Sequence, residues 1–341
     1  MHESYFRYVA AAACVALAAF LFAAPAAGQD DAVRQLEDWE REELQALVEA
    51  VGDALEGDAA TEDPLELEPS FVKGTDGNTY VPFTLAVDPE RIDSETVVVY
   101  LYVDDRALAE SEDADDREAI FEDAYFVEVD HDGDEPVRLS RAFSVPGGNY
   151  DVYVAVRDSL GEDADDDDRD ARPLMVFKAP VAVPDLWTAD LQTSTVFVGQ
   201  IEQLSAPLSP QEQIEQPYTF GPLRITPKHD NSFGRQEELS LLMMVYNPRL
   251  DNDMPNVTVE FNFHTVTADG EEFFNKTTPQ EFNAQTLPPG FSVAAGHQVV
   301  AGQSIPLRLF PAGDYRLEVV ITDNEAESSV TRNVNFTVRE T

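Results

Sequence analysis

Three carboxylates alternate in the segment VDHDGDEP, Asp130, Asp132 and Asp134, with Gly133 available for a tight turn. Oxygen-rich loops of this kind can wrap calcium, a hard cation that takes carboxylate and carbonyl ligands. An EF-hand loop starting at Asp130 would need a glutamate at its far end, and none stands there. The spacing therefore predicts either a weak calcium site at Asp130, Asp132 and Asp134 or a plain hairpin turn between two strands. The densest acidic run is GEDADDDDRDAR, from Gly161 to Arg172. Two carboxylates roughly 6 Å apart repel by about 0.7 kcal/mol in water, and salt screens charges beyond about 8 Å. That run reads as a solvated hairpin loop, with weak divalent-cation binding second.

The residues of enzyme sites are thin. Of the five histidines, His2 lies in the leader, His229 follows a Pro-Lys turn and His297 lies in a loop. His264, in VTVEFNFHTV, shares a strand face with Thr258, Glu260 and Asn262, opposite Val257, Val259, Phe261 and Phe263, so it is expected to be exposed. None has a second histidine at metal-ligand spacing, and no Gly-x-Ser-x-Gly elbow, phosphate loop or dinucleotide fingerprint occurs. With 66 acids, close carboxylate pairs are expected by chance alone, which makes paired carboxylates uninformative. The chain reads as non-catalytic, with no cofactor beyond the weak calcium idea, and an exported hydrolase is the alternative. A net charge of -44 repels phosphate backbones and excludes nucleic acid as a partner.

The elements that carry these residues follow from periodicity. From Tyr8 to Ala27 the chain is uncharged and mostly Ala, Val, Leu and Phe, closing with small residues at APAAGQDD, which reads as a signal peptide over 1–28. Uncleaved, the same stretch is just long enough to span a bilayer. Cys14, the sole cysteine, lies inside it and lacks the apolar context of a lipid-attachment box, so the mature chain has no disulfide or cysteine nucleophile. Residues 29–60 predict an amphipathic helix: Val33, Leu36, Leu44, Leu47, Val48, Val51 and Leu55 recur at threes and fours, Asp30 and Asp31 suit its start, and Gly57 suits its stop. It would pack on its own sandwich or dock a partner. Residues 61–69 read as a linker.

From Phe71 the period becomes two. TYVPFTLAV alternates as a half-buried strand, and TVVVYLYV is apolar on both faces and hence central. Short strands separated by Asp, Gly and Pro clusters, with no helices between them, predict a sandwich rather than a parallel α/β fold. The phrase VPGGNYDVYVAVRD, Val145 to Asp158, returns as FPAGDYRLEVVITD, Phe310 to Asp323. In both, a turn feeds a strand with Tyr150 or Tyr315 at its start, as in the tyrosine corner of immunoglobulin-like sandwiches. The fold class is therefore all-β: two tandem Ig-like antiparallel β-sandwiches, 70–182 and 183–341, preceded by the signal peptide and one N-terminal amphipathic helix. IEQLSAPLSPQEQIEQPYTF, Ile201 to Phe220, reads as a long surface connection, and Gln285 to Gln303 as a loop covering a sheet edge or forming a ligand wall.

The segments FVKGTDGNTYVPFTLAVDPERI, SRAFSVPGGNYDVYVAVRD, SAPLSPQEQIEQPYTFGPLRITP, EEFFNKTTPQEFNAQTLPPGF and FPAGDYRLEVVITDN resemble a family of uncharacterised bacterial exported proteins. Related sandwich segments occur beside von Willebrand A-type domains, but the Asp-x-Ser-x-Ser metal motif of those domains is missing here. The resemblance implies export and tandem β-rich domains, and carries no catalytic residue. The functional expectation is an exported, acidic interaction module, periplasmic or extracellular, whose partner is an envelope protein or glycan. The membrane is involved only if the leader is uncleaved. A structural spacer is the alternative.

Overall fold

The computed structural model describes residues 36–109, 119–129, 134–164, 168–169, 171–206 and 208–340. The leader with Cys14, the acids Asp30 and Asp31, and Asp130 and Asp132 lie outside these residues. The described chain is mostly β, with several antiparallel sheets. Among the described residues no helix is long and apolar enough to cross a membrane. The chain divides into two compact units. The first holds the residues up to Ser70 with Gly74–Asp185 and Leu208–Pro217, and the second holds Phe71–Lys73, Leu186–Pro207 and the chain from Tyr218 onward.

In the first unit, helix α1 (Asp38–Glu56) starts where the Glu40 carboxylate accepts the Glu37 N–H at 2.8 Å, and ends at Gly57 with φ +84°. Only glycine takes that left-handed cap without a Cβ penalty. The strands are β1 (Glu66–Pro69), β2 (Thr79–Val87), β3 (Thr96–Asp105), β4 (Phe121–Glu128), β5 (Val137–Val145), β6 (Gly148–Asp158) and β7 (Met175–Val183). β2 lies between β1 and β5 in one sheet, and the other runs β4-β3-β6-β7. Part of the expected linker is thus strand β1, because its backbone groups pair with Phe83–Ala86.

The two-sided apolarity of TVVVYLYV has a physical cause. Val97, Val99, Leu101 and Val103 are buried on one face, and Val98, Tyr100 and Tyr102 on the other lie under Leu47 and Val51 of α1. Sheet and helix cover both faces of β3, so neither needed polar residues.

The second unit repeats the plan. Its strands are β8 (Gln192–Thr193), β9 (Phe197–Gln203), β10 (Thr219–Phe220), β11 (Leu223–Pro227), β12 (Ser232–Gly234), β13 (Glu238–Tyr246), β14 (Leu250–Asp251), β15 (Met254–Pro255), β16 (Val257–Thr267), β17 (Gly270–Lys276), β18 (Gln280–Phe282), β19 (Val299–Pro306), β20 (Gly313–Asp323) and β21 (Ser328–Arg339). One sheet runs β10-β11-β9-β13-β19 and the other β12-β21-β20-β16-β17. One departure from the antiparallel expectation is β12, which joins β21 in parallel. The stretch expected as a long surface connection, Ile201 to Phe220, contains the end of β9, helix α2 (Pro210–Glu215) and β10. α2 sits with the first unit, where the Tyr80 hydroxyl donates to the Pro217 carbonyl at 3.1 Å.

The repeated phrase occupies the same place twice. β6 lies between β3 and β7, and β20 between β16 and β21. The Tyr150 hydroxyl donates to the Pro146 carbonyl at 2.9 Å, and the Tyr315 hydroxyl to the Pro311 carbonyl at 2.8 Å. Both rings are almost wholly buried. Val152, Val154 and Val156, like Leu317, Val319 and Ile321, point into their cores.

Candidate interaction surface

The sheet holding β20 turns its inner face to the core of the second unit, and among the described residues no helix lies over its other face. Alternation along β16 and β20 puts Thr258, Glu260, Asn262 and His264 beside Arg316 and Glu318 on that outer face, where the register pairs His264 with Arg316 and Asn262 with Glu318. Arg316 organises the surface. Its Nε and Nη2 both lie 2.8 Å from Glu271 of β17, and its Nη1 donates to Asn333 of β21 at 2.6 Å and to Glu318 at 3.4 Å. Asn262 Nδ2 donates to Glu318 at 3.3 Å. The Arg316 guanidinium holds the Glu271 carboxyl below the usual carboxylate range, and that bond raises the pKa of Arg316 in turn. A planar fork held in this way by three neighbours keeps one Nη2–H for a further acceptor.

His264 is half-buried rather than exposed. A bulge between Phe263 and His264 shifts the pairing with β17, and Phe273 lies edge-on to the imidazole with ring centroids 5.9 Å apart. Its Nε2 has no hydrogen-bond partner among the described residues and stands 3.9 Å from Glu318. Phe273 itself is 61% exposed, and with Val266 and Val320 it sets apolar side chains among the polar ones of this face.

The other singled-out residues fall elsewhere. Asp134 is exposed, and Asp130 and Asp132 lie outside the described residues. Among the described residues no cluster of three His, Cys, Asp or Glu could hold a metal ion. The acidic run is not wholly solvated: Arg169 within it is buried, with Nε 3.4 Å from Glu43 of α1 and Nη2 donating to the Gly161 carbonyl at 2.5 Å. A buried carboxylate needs a cation, and the nearest arginine in the loop is drawn in.

Sequence reasoning missed three arrangements. Asp158 and Asp323, which close the two phrases, are both buried: Asp158 accepts the Asp93 and Ser94 N–H groups, and Asp323 accepts those of Arg249, Glu325 and Ala326. Their repetition was the available signal. Arg141 points inward from β5 between Leu139 and Phe143, 4.7 Å from the Tyr125 ring, and Tyr125 donates to Asp123 at 2.7 Å. Burial pushes the Asp123 carboxyl up and the Arg141 guanidinium down. Finally, Ser292, His297 and Asp253 meet, but as a clasp. The Ser292 hydroxyl donates directly to Asp253, and His297 Nδ1 accepts the Ser292 backbone N–H at 3.1 Å, so the imidazole is not placed to take the hydroxyl proton. The clasp pins the loop 283–298 to the β14-β15 hairpin, while Gln280 Nε2 bonds the Gly302 carbonyl at 2.8 Å and Thr277 bonds Gln303 at 3.0 Å along the edge of β19. The edge is covered by residues just before the loop expected to do so.

No family model matches the sequence, and no curated protein matches it. Among solved structures, an immunoglobulin-like protein from Pseudomonas aeruginosa aligns with 44% of this chain and 97% of its own, at 14% identity and a TM-score of 0.24. A DUF4785 family protein from Legionella pneumophila aligns over 76% of this chain and 53% of its own, at 8% identity and a TM-score of 0.20. Bacteroides uniformis beta-glucuronidase aligns over 78% and 27%, at 12% identity and a TM-score of 0.22. This chain thus spans about half of the second protein and about a quarter of the third. At such identities and scores none of these likenesses bears on activity, and the sandwich architecture stands on the strand pairing and the two tyrosine corners.

Proposed function

We propose that this chain is an exported, non-catalytic binding protein of the cell envelope or the extracellular space, related to the bacterial exported family it resembles, and that the outer sheet face of its second sandwich meets a protein or glycan partner. One observation carries the reading: the same sheet face is apolar and helix-covered in the first unit, whereas in the second it is mainly polar, organised around Arg316 and without a helix over it among the described residues. A face that needed only solubility would not require a guanidinium held by three side chains. The leader and the acidic balance support export and solubility.

The test uses the full mature protein, immobilised and exposed to envelope fractions with and without protease treatment. Thr258→Arg and Asn335→Arg, which place bulk on the face, are expected to abolish retention of a defined partner, and Glu49→Arg on α1 is expected to leave it intact. Equal retention by all three variants would refute the assignment to this face. Protease treatment distinguishes a protein partner from a glycan. The spacer alternative requires the N-terminal segment to stay attached, and N-terminal sequencing of membrane-bound material would reveal it. The hydrolase alternative needs a positioned nucleophile and base, which the Ser292 clasp does not supply.

A further inference from the structure

The contact between α1 and the outer face of the sheet below it has the composition of a protein–protein interface. Three tyrosines, Tyr100, Tyr102 and Tyr153, form the floor, and Trp39 of α1 meets Phe126 edge-on at 5.5 Å. α1 contributes only Leu47 and Val51 as fully buried apolar side chains, together with the buried carboxylates Glu40 and Glu43. By contrast, the cluster between the two sheets of the second unit is built from Val, Leu, Ile, Phe, Met and Ala with Tyr315 as its one tyrosine, while Tyr218 and Tyr246 are buried outside it. Tyr, Trp and Arg, which carry a polar tip on a large apolar body, are enriched where proteins meet.

The polar part of the contact is specific. Glu43 Oε1 accepts the Leu160 N–H at 3.3 Å and lies 3.4 Å from Arg169 Nε, while Arg157 Nη2 donates to the Glu43 carbonyl at 3.4 Å. Buried charges of this kind fix register, and because they regain hydration on separation they lower the cost of lifting the helix relative to an all-apolar contact. The connection is short. α1 ends at the Gly57 cap, and Glu62 is stapled to β7 through Glu62 N–H to the Val176 carbonyl at 2.8 Å and Lys178 N–H to the Glu62 carbonyl at 3.1 Å. The Asp58 and Ala59 N–H groups still bond the Asp53 carbonyl, at 2.8 Å and 3.1 Å, so only Ala60 and Thr61 remain as a hinge, a reach of about 7 Å at full extension.

We propose that the outer face of this sheet is an acceptor for an acidic amphipathic helix, that α1 is its tethered occupant, and that the α1 of a second copy takes the same place in an exchanged dimer. Exchange creates no new contact, so it is governed by the local concentration that the hinge imposes, of millimolar order for a short tether. Shortening the hinge until α1 cannot fold back removes that advantage.

The experiment deletes Ala59–Thr61 from the full mature chain and follows mass by light scattering coupled to size exclusion at micromolar concentration. The deletion is expected to raise the dimer association constant at least about tenfold, and Leu47→Asp in the same background to return the chain to monomer. A shortened chain that stays monomeric overturns the proposal, as does a dimer that survives Leu47→Asp. A labelled peptide of residues 36–57 added to the full chain carrying Leu47→Asp, whose own α1 no longer holds the face, provides an independent arm. Saturable anisotropy change, weakened at least about tenfold by Glu43→Lys in the peptide, is expected. Absence of saturation, or indifference to Glu43→Lys, overturns the acceptor face.

Discussion

Replacing Tyr150 or Tyr315 by phenylalanine removes one hydroxyl and leaves each ring in its slot. Each hydroxyl makes one bond to a proline carbonyl four residues earlier, at 2.9 Å and 2.8 Å, from a ring only 1% or 2% exposed. A single neutral hydrogen bond contributes about 1 kcal/mol net, rising to about 2 where the abandoned carbonyl stays out of water. No cavity forms, so the cost of about 3–5 kcal/mol for removing an aromatic ring entirely does not arise. The two tyrosines belong to separate units and share no partner, so their effects should add within about 0.5 kcal/mol. Calorimetry and urea unfolding are the assays, and each single variant should lower Tm by roughly 3–6 °C in the transition of its own unit. Alkaline titration supplies a second arm. Burial pushes the Tyr150 hydroxyl up to about 12, so the folded state holds its proton where the unfolded chain would release it. Its contribution is fully present below the ordinary tyrosine value of about 10 and fades as pH climbs from there through 12. Tyr150→Phe should flatten that slope. Variants indistinguishable from the parent in both assays would refute the corner as a stabilising device.

Gly148 and Gly313 occupy equivalent positions for different reasons: a Cβ on Gly148 would stand 2.9 Å from the Tyr150 hydroxyl oxygen, whereas Gly313 faces open space at φ +152°. Gly148→Ala should cost about 1–3 kcal/mol through overpacking, and Gly313→Ala about 1 kcal/mol through backbone strain; near-UV circular dichroism should register ring displacement only in the first. Asp323→Ala strands three backbone donors and should cost about 3 kcal/mol in urea melts, with Asp323→Asn recovering part of it. Arg169→Ala leaves the buried Glu43 carboxylate with the Leu160 N–H and without that guanidinium, and about 3 kcal/mol or more should be lost, read as faster amide exchange in α1 than in β6. For the acidic turn, millimolar calcium should raise Tm slightly in the parent and not in Asp132→Asn; two flat responses would remove the calcium reading.

Much of the scaffold was legible because its determinants are local. Two-residue alternation marked the strands, Gly57 marked the end of α1, and a phrase repeated over fourteen positions announced two sandwiches with a tyrosine at each corner. The same alternation assigned His264 its face correctly and its exposure wrongly, since Phe273 arrives from a bulged neighbouring strand that periodicity along β16 does not report. The polar face around Arg316 was written in the sequence as alternating residues, but its network was not, because Glu271, Glu318 and Asn333 stand on three strands.

By itself the sequence determined the all-β class, the acidity and the duplicate corners, each a property of residues near one another in the chain. Only the tertiary structure decided which charges leave water: Arg169 in a run of aspartates, Glu43 on a helix, Arg141 on an inward strand position, and the aspartates that end the two phrases. Burial of a charge depends on a counter-charge or donor brought from a distant part of the chain. Local pattern carries hydrophobic period, whereas such partnerships exist only once the sheets have closed.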